Sequence, residues 1–148
     1  MRIYIEEGEE NLLKARIETF YGEKQYNVFD PVRLGDTYRD VAKESAALHV
    51  VRHFFPEVIR KEKRFGMRSE EDFFAFLEEG QQTLSKVGEV YISGELRKWK
   101  IRNAPRLQAG ISMRNHLLHL QILSDDLPYE ELERLLENYR EKKKFFRL

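Results

Sequence analysis

The chain has 148 residues, 41% apolar and 35% charged, with ten Phe and seven Tyr. That balance is too aromatic for a disordered tail and too polar for a membrane protein, and a domain of this length buries about 68–70% of its unfolded surface. Twenty-six Lys and Arg against 26 Asp and Glu give zero formal charge, so a polyanion-binding surface requires local segregation of charge; the lack of cysteine excludes disulfides, thiolate metal sites and cysteine nucleophiles.

Ile3 and Ile5, then Leu13, Ala15, Ile17 and Thr19, alternate around Glu7 and Gly8, which predicts a β-hairpin. Tyr21, Gly22 and Glu23 make a second turn into a third strand, Gln25 to Phe29, ending at Asp30 and Pro31. From Arg39 to Phe55, Val41, Leu48, Val51 and Phe55 recur at helical steps until Pro56 stops them. Residues 57 to 68 are basic, broken by Gly66, and read as a loop holding a short strand. Ser69 then caps a helix with an acidic first turn, Glu70 to Asp72, and a stripe of Phe73, Phe76, Leu77 and Leu84 through Ser85. Gly80 inside that helix marks either a close packing contact or an early end.

Beyond Gly88 the period returns to two, over Val90 and Ile92, Trp99 and Ile101, Leu107 to Met113, and Leu118 to Ile122. Four strands are expected, joined near Gly94, near Asn103 to Pro105, and at Arg114 and Asn115. A last helix, Tyr129 to Lys142, is expected to bury Leu132, Leu135, Leu136 and Tyr139. The fold class is therefore α+β: antiparallel hairpins and meanders with about three helices packed on the sheet, without the βαβ rhythm of a parallel sheet. One unit over 1–148 is expected, with 1–58 and 59–148 as subdomains in the alternative. MRIYIEEGEE offers no basic region followed by an apolar one, no run approaches the 18 or so residues of a membrane span, and no lipidation motif is found, so a cytoplasmic location is expected.

Chemistry-bearing patterns are sparse. No GxxxxGK[ST] or GxGxxG is present. His49 and His53 share a helical face but lack a third ligand, whereas His116 and His119, on an expected strand, face opposite sides. Asp125 with Asp126 and Glu78 with Glu79 are adjacent acids that do not converge on a cleft, and no serine sits in a GxSxG elbow. Catalytic, cofactor-binding and metal-binding residues are thus expected to be none. The basic segments carry the remaining signal. On a strand, Lys98, Lys100 and Arg102 would form one row with Trp99 and Ile101 packed inward, and Lys142, Lys143, Lys144 and Arg147 form a second cluster. Each cluster reads either as a solvated face or as a nucleic-acid contact.

FYG after the first hairpin, YRD opening the first helix, the acidic cap before FFAFLEEG, then GEVYISGELRKWKI, GISM and ILSDDLPYEELERLLENYREKKKFFRL follow one another in an order that resembles the bacterial region associated with Swi/Snf-type helicases, over nearly the whole chain. In that family the region precedes the ATPase core of a superfamily-two helicase. The resemblance implies a parent that hydrolyses ATP to translocate on DNA, with ATP and Mg bound only in its motor, and a fragment that assists it and carries no active site. The terminal FFRL, which reads as the start of a strand, accords with a piece of a longer polypeptide. The expected partner is the ATPase core of the same polypeptide, with docking on that core as the leading role. The alternative is weak, sequence-independent DNA binding through the two basic clusters; no membrane partner is expected.

Overall fold

The computed structural model describes residues 1–36 and 38–144. They form two compact units, Met1–Ile101 and a second beginning at Arg102. Both mix helices and strands, so the α+β class holds.

In the first unit β1 (Arg2–Glu7) and β2 (Leu13–Tyr21) make the expected hairpin, with Ile3 opposite Ile17 and Ile5 opposite Ala15. The turn falls slightly later than Glu7 and Gly8. Gly8 N–H donates to the Leu12 carbonyl at 2.7 Å, and Glu10 and Asn11 take the left-handed backbone that turns the chain. Gly22, with φ of 63°, makes the tight turn to β3 (Lys24–Asn27). Next comes α1 (Val41–Phe54), whose first turn is capped by Asp40 accepting from Lys43 N–H. The basic stretch after Pro56 is a second hairpin, β4 (Glu57–Ile59) and β5 (Arg64–Met67), rather than a loop with one strand. The helical rod that Ser69 caps runs through α2 (Glu70–Ala75), a π-helical segment (Phe76–Gly80) and α3 (Gln81–Ser85). It leads to β6 (Glu89–Ile92).

The sheet order is β4-β5-β2-β1-β6, with β3 also paired to β2. Every pair is antiparallel except β1 with β6, which run parallel after the long crossover. One face is buried: Ile3, Ile5, Ala15, Ile17 and Met67 join Val51, Phe54 and Phe55 of the α1 end and Phe73, Phe76 and Leu84 of the second rod in one core. Each such side chain contributes about 1.5–3 kcal/mol when removed from water. The other face is polar, with Tyr4 stacked on Tyr91 at 5.1 Å and Arg16 over the Tyr4 ring. This alternation of buried and solvated positions is what the period-two pattern encodes.

The second unit is simpler. β7 (Leu107–Arg114) and β8 (Leu117–Ser124) form an isolated two-stranded ribbon, and α4 (Tyr129–Arg140) packs on β8. Leu127 and Leu132 are buried and Leu135 and Leu136 half-buried, but Tyr139 is exposed, because the ribbon is too narrow to cover more than one stripe of the helix. The expected subdomain boundary at residue 58 falls inside β4, whose hairpin partner β5 is zipped to β2; the two units part at Ile101 and Arg102 instead.

Candidate interaction surface

The basic row expected over 98–102 is not a strand. Leu96–Lys98 is a single 3-10 turn and residues 99–105 have no regular structure, so the alternation that would have put Lys98, Lys100 and Arg102 on one face does not exist. The strand lacks a neighbour: β6 ends at Ile92 and pairs with β1, and nothing extends that ladder to Trp99. Trp99 itself is half-buried against Phe73, ring centres 5.5 Å apart, an inward packing as expected. Lys98 pairs with Glu95 at 2.9 Å and Arg102 with Glu131 at 3.3 Å, while Lys100 is exposed. Lys142 and Lys144 are exposed just beyond α4, and Lys143 pairs with Glu141 at 2.8 Å. Arg147 lies outside the described residues.

His49 and His53 are exposed on α1. His116 is not in a strand: with Asn115 it forms the left-handed turn that closes the ribbon, one position later than the expected turn at Arg114 and Asn115. Among the described residues no three His, Cys, Asp or Glu side chains are grouped so as to hold a metal ion. A groove of about 470 Å³ runs between the α2–α3 rod and β6, lined by Leu77, Gln81, Gln82, Val90 and Ile92 among others, with Glu78 as its one ionisable side chain.

Two features escaped the sequence reading. One is a buried ion pair. Arg39 and Glu44 are under a tenth exposed and meet through two bonds, Nη2 to Oε2 at 2.6 Å and Nε to Oε1 at 3.1 Å. Glu44 also accepts from the Tyr21 hydroxyl at 2.9 Å and the Thr19 hydroxyl at 3.4 Å, and Arg39 donates to the Asp30 carbonyl at 2.9 Å. Burial opposes ionisation of Glu44, but the Arg39 guanidinium and the two hydroxyls outweigh it and hold the carboxyl below its ordinary range. Every charge here is satisfied internally, which fits a clasp between β2, the 28–40 segment and α1. YRD at the helix start was the available signal, but its acid five residues on was not connected to it.

The other feature is the ribbon. Its register, Ala109 opposite Ile122, Ile111 opposite Leu120 and Met113 opposite Leu118, sets all the apolar alternate positions on one face. Ile111, Met113, Leu118 and Leu120 remain 63–72% exposed. The alternation was legible in the sequence; that nothing among the described residues of the unit covers these four side chains was not. The opposite face carries Gln108, Ser112, Arg114, His119 and Gln121, with Gly110 at its centre and Leu117 and Leu123 at its ends.

The chain is thus a mixed α+β protein whose second unit displays an exposed apolar sheet face. Residues 1–148 match the family model described as bacterial SNF2 helicase associated, and the chain belongs to that family. No curated protein and no solved structure matches it.

Proposed function

We propose that the chain is the non-catalytic accessory region of a bacterial ATP-dependent DNA helicase or translocase, acting in the cytoplasm, and that it docks on the ATPase core of the same polypeptide. ATP and Mg belong to that core. The observation that carries the reading is the exposed apolar face of the β7–β8 ribbon. A two-stranded ribbon is marginal in water unless its apolar face is covered. Eight residues at about 3.4 Å each and two strands about 4.8 Å apart offer roughly 270 Å² of face. A stable complex between separate proteins buries about 800 Å² per partner. On its own the face gives only weak binding to a separate partner, detectable at high concentration, and it suits a partner tethered at high effective concentration by the chain itself.

The test is binding of the 148-residue chain to the separately purified ATPase core by calorimetry. Ile111→Thr with Leu120→Thr, a directly opposed and exposed pair, is expected to weaken binding at least tenfold without lowering the melting temperature of the free chain. Equal affinity of the variant, or no binding by the unmodified chain at high concentration, overturns the proposal.

A further inference from the structure

The polar face of the ribbon points to a second partner, and different observations carry it. From Leu96 to Ser124 the chain contains no Asp or Glu, yet it holds Arg97, Lys98, Lys100, Arg102, Arg106 and Arg114. Two of these are paired, Lys98 and Arg102. The Arg106 and Arg114 side chains, at the foot and the tip of the ribbon, have no carboxylate partner among the described residues and are exposed. The acids of the second unit begin at Asp125 and Asp126, beyond the foot, where Asp125 accepts from the Gln108 amide and Asp126 from the Arg106 backbone N–H. Charge is therefore segregated along this unit even though the chain is neutral overall.

Geometry narrows the partner. Between the tip and the foot, Ser112 stands opposite His119 and Gly110 opposite Gln121. These are hydrogen-bonding side chains with no acid among them, around a position where the backbone is bare: a Cβ added to Gly110 would meet nothing closer than the Gln121 carbonyl at 3.9 Å. A rigid partner can approach the strand backbone closely there. A two-stranded ribbon about 10 Å wide fits the major groove of duplex DNA, about 12 Å wide, where amide side chains read base edges, apolar ones meet thymine methyls and arginines reach phosphates. An acidic protein surface would need no such row of amides and hydroxyls.

We infer that the polar face of the β7–β8 ribbon contacts duplex nucleic acid, with Arg106 and Arg114 on phosphates and Ser112, His119 and Gln121 facing the groove. The inference goes beyond docking: the ribbon becomes a two-sided element, apolar towards protein and polar towards the duplex. It also moves the expected contact away from the 98–102 and C-terminal clusters.

The experiment uses the 148-residue chain and a fluorescein-labelled 20-base-pair duplex, followed by anisotropy across a salt series. Each phosphate contact contributes about 0.9 to the slope of log affinity against log salt. Arg106→Gln with Arg114→Gln is expected to lower that slope by about 1.8, and Arg114→Glu with Gln121→Glu to weaken low-salt binding at least tenfold. Circular dichroism checks the fold of each variant; if a double variant does not fold, the single Arg114→Gln must still lower the slope by about 0.9. Ile111→Thr with Leu120→Thr, on the other face, should leave duplex affinity within twofold, which separates failure of this inference from failure of docking. Unchanged slope and affinity in the polar-face variants overturn the inference, as does competition by a polyglutamate peptide equal to that of unlabelled duplex at matched charge.

Discussion

At the scale of single residues, the Arg39–Glu44 pair shows how a buried charge is tolerated in a small domain. Each partner is desolvated, and each recovers the loss through the other and through neutral groups on two further segments, the Thr19 and Tyr21 hydroxyls of β2 and the Asp30 carbonyl. Removing one partner leaves the other charged and alone. Glu44→Gln is therefore expected to destabilise the chain by about 3–5 kcal/mol in urea unfolding, and Arg39→Met with Glu44→Leu together by less than either single change. The pH dependence has a definite sign. The folded carboxyl titrates below its unfolded counterpart, so its stabilisation is complete above the ordinary glutamate range and disappears as pH falls through the folded value. The difference between the parent chain and Glu44→Gln should shrink on acidification across that window; a difference that stays constant would refute the pair's role. YRD alone does not reveal this clasp, because the pairing of Arg39 with a glutamate five residues on depends on the path of the chain ahead of α1 and not on helical spacing.

At the scale of elements, legibility followed the number of neighbours each element has. β1, β2 and the two long helical segments were readable because one face of each meets a dry core, so period and burial coincide. Trp99 and Ile101 alternate equally well, yet no strand forms, since two apolar positions without a hydrogen-bonded neighbour do not make a ladder. Gly80 is the instructive helical case. It does not end the helix, which runs on to Ser85, and it is the close contact that is realised: a Cβ there would lie 2.6 Å from Cδ2 of Phe76, a ring packed at 5.7 Å from that of Phe55. Gly→Ala inside a helix ordinarily gains about 1 kcal/mol. Here the buried Phe76 ring has to shift, and overpacking of that kind costs about 1–3 kcal/mol. Gly80→Ala is accordingly expected to lower stability in urea titration; a rise in the midpoint would show that the Phe76 ring yields at less cost than the helix gains from alanine.

At the scale of the whole molecule, the two units rest on unequal foundations. The first has a sheet with a fully buried face and a helical layer over it. The second is a ribbon and one helix with two buried leucines, Leu127 and Leu132, among its described residues. The boundary was misplaced from sequence because composition changes little across residues 58 or 101; what divides the chain is which strands share a ladder, and β4 and β5 join the first sheet by long-range pairing with β2. Between the units, residues 100–104 are exposed and carry no regular structure, with Lys100 and Arg102 among them. Brief trypsin treatment is therefore expected to cut first after Lys100 or Arg102, since cleavage needs an extended, accessible segment. The larger product should keep the cooperative thermal transition of the intact chain to within a few degrees, because every member of its core lies at or before Trp99. Mass spectrometry of the first fragments and calorimetry of the purified product decide the matter. Initial cuts inside β1–β6, or a product that has lost its transition, would mean that the first sheet depends on the second unit for its stability.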